Sequence, residues 1–389
     1  MSKKFPLKHS IRILLQERSL AYQLMRIGIR KLILRPIDYR RNDNKCRPPI
    51  QIGLKVTNRC NMRCVMCAQW GESGYHLDKE KKSPIQQEVP FDVYKKMINE
   101  VAPYKPSFYI WGGEPFLYKG TFDILAELSR LKLTSTLVTN AVTLTDNAKE
   151  IVEKGLSILF ISLDGPEHVH DKVRNYKGAF EKVVNGIKEV NKYKKLMNKK
   201  KPYISLFFTI CKDNIDYMYE TFKLIENFGI DFVFGFYSWF TSDALGNKHT
   251  EFMKNTFDCE AKSWKGYVYN YNKIDYQKVQ EQIKRLQKEK LNYPYTFLPN
   301  LSDDQIERYY KDSSETFNYK KCYYPWLVTE IQPNGDVATC RDYPDYIAGN
   351  ISKDSLIDIF NNDNYVKFRE EIRKGLFPIC GRCCGLMGL

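Results

Sequence analysis

Cys60, Cys64 and Cys67 fall within eight residues, in the run Cys60-Asn-Met-Arg-Cys64-Val-Met-Cys67. Three residues separate the first pair and two separate the second. Thiolates are the preferred ligands of iron–sulfur clusters. Three of them can hold three corners of a cubane and leave the fourth iron open to a small molecule. The competing reading is a structural zinc site. Zinc usually takes two separated CxxC hooks, which the CxxxCxxC spacing matches poorly.

The elements around these residues must hold them at a working edge. Residues 50–56, rich in β-branched and apolar side chains, read as a strand. Thr57-Asn-Arg59 then turns the chain, so the cysteines lie just past the C-terminal end of a strand. That is where α/β folds place their chemistry. Gly112-Gly113-Glu114-Pro115 follows a second strand, Phe108 to Trp111. Two glycines let backbone approach closely because no Cβ intervenes, and the carboxylate can accept from an ammonium group. Asn140 ends a third strand. Ser162 ends a fourth, followed by Asp164, His168, His170, Asp171 and Arg174. The histidines read as structural, and an arginine fork there suits a carboxylate.

A CxxxCxxC followed by GGEP at this distance resembles the radical S-adenosylmethionine (SAM) enzymes. The resemblance implies that Cys60, Cys64 and Cys67 hold a [4Fe-4S] cluster whose open iron is chelated by SAM. It implies that one electron then cleaves SAM to a 5′-deoxyadenosyl radical, which takes hydrogen from a substrate. By the same resemblance Gly112, Gly113 and Glu114 meet the amino group of SAM, and Ser162 and Arg174 meet its carboxylate. Asn140 is similar to a TNG-type site near the ribose, with Ala141 in place of the glycine. An aromatic residue near the last cysteine is usual in that family. Here it is Trp70, three positions on.

A second cysteine set lies toward the other end. Cys322 and Cys340 are separated by a segment with Gly335, and Cys380 and Cys383 form a CxxC beside Cys384. Pro333-Asn-Gly-Asp-Val-Ala-Thr-Cys340 reads as a hairpin turn entering a strand. This set resembles the SPASM and twitch domains. The chain stops at Leu389, too soon for the extra cysteines of a full SPASM domain. The resemblance therefore implies the twitch type, one auxiliary [4Fe-4S] cluster on Cys322, Cys340, Cys380 and Cys383. Whether Cys384 can replace Cys383 stays open, and four-cysteine zinc is the alternative. Cys46, Cys211 and Cys259 stand apart.

The expected organisation follows the rhythm of the chain. Residues 1–49 form a basic, helical segment and linker, with an apolar helix over 11–34. Residues 50–237 alternate six strands with helices, which means a parallel sheet with right-handed crossovers. With the family resemblance, the fold class is α/β, a partial (β/α)6 TIM-like barrel. Residues 238–320, rich in Tyr, Asn, Lys and Phe, read as an aromatic insertion or lid. Residues 321–389 read as the small α+β auxiliary-cluster domain.

The chain has 389 residues and a formal net charge of +15. Residues 1–49 carry 13 Lys or Arg against 3 Asp or Glu, most of that excess. The basic pI is thus a property of one segment, and a nucleic-acid partner is not expected. No run of about 18 apolar residues occurs, as a membrane span would need. Eleven cysteines in clustered spacings suit a cytoplasmic metal protein better than a disulfide framework. Residues 11–34 could still lie on an anionic membrane surface.

The function expected is hydrogen abstraction from an unactivated C–H bond of a sugar-, nucleotide- or lipid-linked small molecule. A low-potential donor such as flavodoxin or ferredoxin would supply electrons. A peptide substrate is the alternative, and 49 residues before the barrel are few for a leader-binding domain. From another class, a zinc-stabilised nucleic-acid binding module would explain the cysteines. It would leave GGEP and the Ser162–Arg174 set without a reason. Which residue acts as catalytic acid or base is not legible.

Overall fold

The structure, a computed structural model, describes residue 29 and residues 34–77, 87–268 and 274–387. The helix expected over 11–34, and the membrane-surface role attached to it, fall almost wholly outside the described residues.

All six expected strands are present: β1 (Gln51–Lys55), β2 (Ser107–Trp111), β3 (Ser135–Thr139), β4 (Ile158–Ser162), β5 (Tyr203–Ile210) and β6 (Phe232–Tyr237). They pair in parallel in chain order. Period-two alternation explains why they form and which way they face. Leu54, Phe108, Ile110, Leu159, Ile161 and Val233 point outward and are fully buried. Each such side chain contributes about 1.5–3 kcal/mol on burial. The helices that cover them are amphipathic. Phe91–Val101, for example, buries Tyr94, Met97, Ile98 and Val101 at i, i+3, i+4 and i+7 spacing. Thr121–Arg130, Leu144–Glu153 and Ala179–Leu196 are the helices that the expected alternation places between strands.

The sheet is wider than the sequence predicts. β7 (Tyr295–Leu298) joins β6 in parallel, so the 238–320 stretch supplies a barrel strand as well as covering helices. Its four residues lie in a Tyr- and Pro-rich segment without a long alternating run, which hid them. On the other side, β8 (Val328–Ile331) pairs in parallel with β1. β9 (Asp336–Ala338) and β10 (Ile347–Asn350) then add antiparallel strands. The resulting ten-stranded order is β10-β9-β8-β1-β2-β3-β4-β5-β6-β7, open at its two edges. The expected hairpin turn is present, with Gly335 at φ +87° between β8 and β9. The C-terminal unit therefore shares one sheet with the barrel.

The linker ahead of the barrel is docked at Asn44 and Cys46. The Cys46 backbone exchanges hydrogen bonds with Asn361, and the buried Arg369 donates to Asn44 O. No described helix is long and apolar enough to cross a membrane.

Candidate active site

The cysteine loop is held by its neighbours before any cofactor is considered. Gly113 N donates to Thr57 O and Glu114 N to Arg59 O, both at 2.8 Å. A Cβ on Gly113 would come within 2.1 Å of Arg59 O, and one on Gly112 within 2.5 Å of Thr57 O. The two glycines thus let the chain's own loop press against the end of β2. Trp70 Nε1 donates to Asn58 O at 2.8 Å, and the Arg63 guanidinium lies over the Trp70 ring. Arg59 forms a two-pronged pair with Glu88.

Cys60, Cys64 and Cys67 cluster on this loop with Met62, Met66, Val142 and Tyr176. Burial pushes the Cys60 thiol up to about 12 and raises that of Cys64. Such thiols become thiolates only against a nearby positive charge, which a metal cluster supplies. Asn140 Nδ2 lies 4.0 Å from Cys60 Sγ, and Arg174 Nη1 lies 3.7 Å from Cys64 Sγ. Two of the expected site residues, Asn140 and Arg174, therefore converge on the cysteines.

Glu114 is 1% exposed and accepts from Thr139 Oγ1, Asn140 N and Phe116 N. Burial outweighs these donors and raises its carboxyl to about 7. Ser162 sits at the C-terminal end of β4, half-buried. Arg174 is engaged otherwise than a carboxylate-binding fork would be: it forms a buried ion pair with Asp164. Asp164 also accepts from Thr209 N at 2.8 Å. Arg174→Ala should cost about 3–5 kcal/mol of stability, because it strands a buried carboxylate. Adding Asp164→Asn should recover most of that loss in urea unfolding. No recovery would show that the pair is not the cause. His170 is fully buried and accepts from Asp164 N through Nδ1, as a structural histidine would.

The second cysteine set also comes together. Cys322, Cys340, Cys380 and Cys383 line one closed apolar cavity with His249, Met253 and Phe377. Burial pushes the Cys322 thiol up to about 11 and raises the other three further. A single zinc needs sulfurs at about 2.3 Å. Among the described residues no three His, Cys, Asp or Glu side chains converge to hold one ion. Four buried thiols set around one cavity are a donor set that a cubane takes. Cys384 does not line this cavity. Its backbone N–H and its thiol both reach Asp342, at 2.7 and 3.2 Å.

Inside the barrel lies a second cavity of about 440 Å³. Its walls are inward residues of the strands: Tyr109 and Trp111 of β2, Phe160 of β4, Phe207 of β5, and Phe234 and Phe236 of β6. Arg341, Asp342 and Cys384 close it from the C-terminal unit. Arg341 lines both cavities, so the two share a wall.

Two features had no sequence signal. Glu330 of β8 is fully buried and accepts from Arg341 Nε and Trp111 Nε1, and from the Tyr324 hydroxyl. It stands opposite Gly53 of β1, where a Cβ would meet its carboxylate at 1.9 Å. Lys55 is 2% exposed, donates to Tyr75 Oη at 3.2 Å, and is lowered by burial to about 7. Arg341 could have been found, since it directly follows a cysteine of the set.

A model of the radical SAM superfamily matches residues 54–231, and one of an iron-sulfur cluster-binding domain, SPASM, matches residues 322–384. The tungsten-containing aldehyde ferredoxin oxidoreductase cofactor-modifying protein of Pyrococcus furiosus is 23% identical over 352 residues, 85% of this chain and 86% of its own. An AdoMet-dependent heme synthase of Methanosarcina barkeri is 31% identical over 187 residues. That match covers 46% of this chain and 48% of the synthase, so the chain spans about half of that relative's length. Streptococcus suis SuiB bound to S-adenosylmethionine superposes with a TM-score of 0.58 at 14% identity. The superposition covers 82% of this chain and 68% of SuiB, and shows the shared fold. The [4Fe-4S] cluster, SAM and auxiliary iron–sulfur chemistry follow from the two matched domains. The chain belongs to the radical SAM superfamily of enzymes and carries a SPASM-type iron–sulfur cluster-binding domain over residues 322–384.

Proposed function

We propose that this radical SAM enzyme removes hydrogen from a C–H bond on an apolar part of its substrate, held in the barrel cavity. The carrying observation is the wall of that cavity, built from Phe160, Phe207, Phe234 and Phe236. Phenylalanine offers no hydrogen bond, so a bare sugar or nucleotide would find no polar partner along that part of the wall. A lipid-linked substrate, or an aromatic group of a peptide, fits better. SuiB has been crystallised with a precursor peptide, which keeps the peptide reading open for this chain.

In this reading Cys60, Cys64 and Cys67 hold the catalytic cluster, which when bound supplies the electron that cleaves SAM. Glu114 receives the amino group of SAM, and Gly112 and Gly113 hold the loop that bears it. Asn140 and Ser162 stand at strand ends around the same place. Arg174 orders the site through Asp164 and Cys64. Cys322, Cys340, Cys380 and Cys383 hold the auxiliary cluster. The wall shared at Arg341 favours electron exchange with the substrate cavity over a purely structural role. A flavodoxin- or ferredoxin-type donor would supply reducing equivalents. The division into 1–49, 50–237, 238–320 and 321–389 is retained as functional units, with β7 assigned to the barrel.

The test measures 5′-deoxyadenosine under anaerobic conditions with SAM and dithionite. Prenyl phosphates, aromatic peptides and nucleotide sugars are compared as stimulants. Stimulation by nucleotide sugars alone would overturn the apolar reading.

Glu114 makes SAM binding sensitive to pH. Its carboxyl titrates near 7 without SAM, and only the ionised form can receive an ammonium group. Below that value SAM must displace a proton. Affinity should fall about tenfold per pH unit as pH drops from 7 to 5, and level off above 8. Calorimetry in buffers of different ionisation enthalpy should register proton release near pH 6. A flat profile would remove Glu114 from the contact.

A further inference from the structure

We infer that Arg341 is a substrate-binding residue that receives a carboxylate or phosphate on the otherwise apolar molecule entering the barrel cavity. This rests on reading that cavity as the substrate site. The guanidinium has five N–H donors. Nε donates to Glu330 Oε1 at 2.8 Å, and Nη2 lies 2.7 Å from the same oxygen. Nη2 is buried and makes no hydrogen bond despite that approach, and among the described residues Nη1 has no acceptor either. The side chain is 14% exposed and lines the cavity, with its guanidinium carbon 4.5 Å from the Tyr109 ring centroid.

The neighbours fix the arginine rather than satisfy it. Glu330 is held from its other sides by Tyr324 and Trp111, so it anchors one edge of the guanidinium. Tyr109 supports one face. The free edge is left for something that arrives. Asp342, the other charged group of this wall, is occupied by the Cys384 N–H and thiol. The remaining polar wall residues, Gln51, Thr136 and Thr209, are neutral. A planar oxyanion matches an arginine fork, and aromatic walls suit the rest of such a molecule. The geometry describes an apolar or aromatic acid, or its phosphate counterpart.

The experiment uses the full chain, reconstituted anaerobically, with three probes: 1-naphthoate, 1-naphthyl phosphate and uncharged 1-naphthalenemethanol. Equilibrium dialysis measures each. Wild type should bind at least one anion about ten- to a hundredfold tighter than the alcohol, the worth of a charge-assisted hydrogen bond. The better of the two anions identifies the oxyanion. Arg341→Met with Glu330→Gln removes the pair without stranding a buried carboxylate, and should bring the ratio near one. Arg341→Lys keeps a cation but loses the fork, and should give an intermediate ratio even if the double variant fails to fold. Equal wild-type affinity for anions and alcohol would overturn the inference, as would full anion preference in Arg341→Lys and the double variant. Phe234→Trp, or Phe207→Trp, fills the cavity and separates the two readings. If the filled variants bind all three probes like wild type, the cavity reading itself fails. If filling abolishes binding while Arg341 variants keep anion preference, only the arginine inference fails.

Discussion

Cys64→Ala is expected to reduce 5′-deoxyadenosine formation to the level of a control without enzyme, while the barrel stays folded. The loss follows from the ligand set, since three thiolates hold three cubane corners and Cys64 is the middle one. Survival of the fold follows from how the loop is held. Gly113 N to Thr57 O, Glu114 N to Arg59 O and Trp70 Nε1 to Asn58 O use no cysteine side chain. Strand β1 is gripped on both sides, by β2 and β8. The Cys64 thiol does approach Arg174, but the Arg174–Asp164 pair is made independently of it. Circular dichroism of the variant should therefore match wild type, and iron should fall by one cluster. Turnover of SAM near the wild-type rate would remove Cys64 from the ligand set.

The parts legible in sequence are those where one local pattern carries the physics. Strands β1 to β6 were visible because each has buried side chains at alternate positions, and Phe91–Val101 because its apolar residues repeat at helical spacing. Both cysteine sets were visible because ligand chemistry restricts residue type and spacing. β7 was not, because four residues in a Tyr- and Pro-rich stretch carry too little alternation. The contact between β8 and β1 joins residues far apart in the chain, and nothing near Gly53 announces that Glu330 lies opposite it. The glycines of GGEP were expected to admit a ligand. They also admit the backbone of Thr57 and Arg59, a constraint visible only once β1 and β2 lie side by side. Arg174 lies beside Cys64, but its pairing with Asp164 depends on the bend between β4 and the next helix.

Replacing Cys380 and Cys383 together should lower reconstituted iron from about eight to about four atoms per chain, the content of one [4Fe-4S] cluster instead of two. SAM cleavage without substrate should persist, because Cys60, Cys64 and Cys67 sit in a separate packing cluster. Substrate-coupled turnover should fall, because the auxiliary cavity shares the Arg341 wall with the barrel cavity. The single variant Cys383→Ala is the sharper experiment. Cys384 is the next residue and could in principle supply a thiolate. In the structure it belongs to the barrel cavity, and Asp342 holds both its N–H and its thiol. Moving it to the four-cysteine cavity would break both bonds and leave a buried carboxylate with fewer donors, at a cost of about 1–3 kcal/mol. Cys383→Ala alone should therefore match the double variant in iron content. Eight irons retained in Cys383→Ala would mean that Cys384 takes over as ligand. Wild type that holds four irons and one zinc would mean that the second site is not an iron–sulfur site.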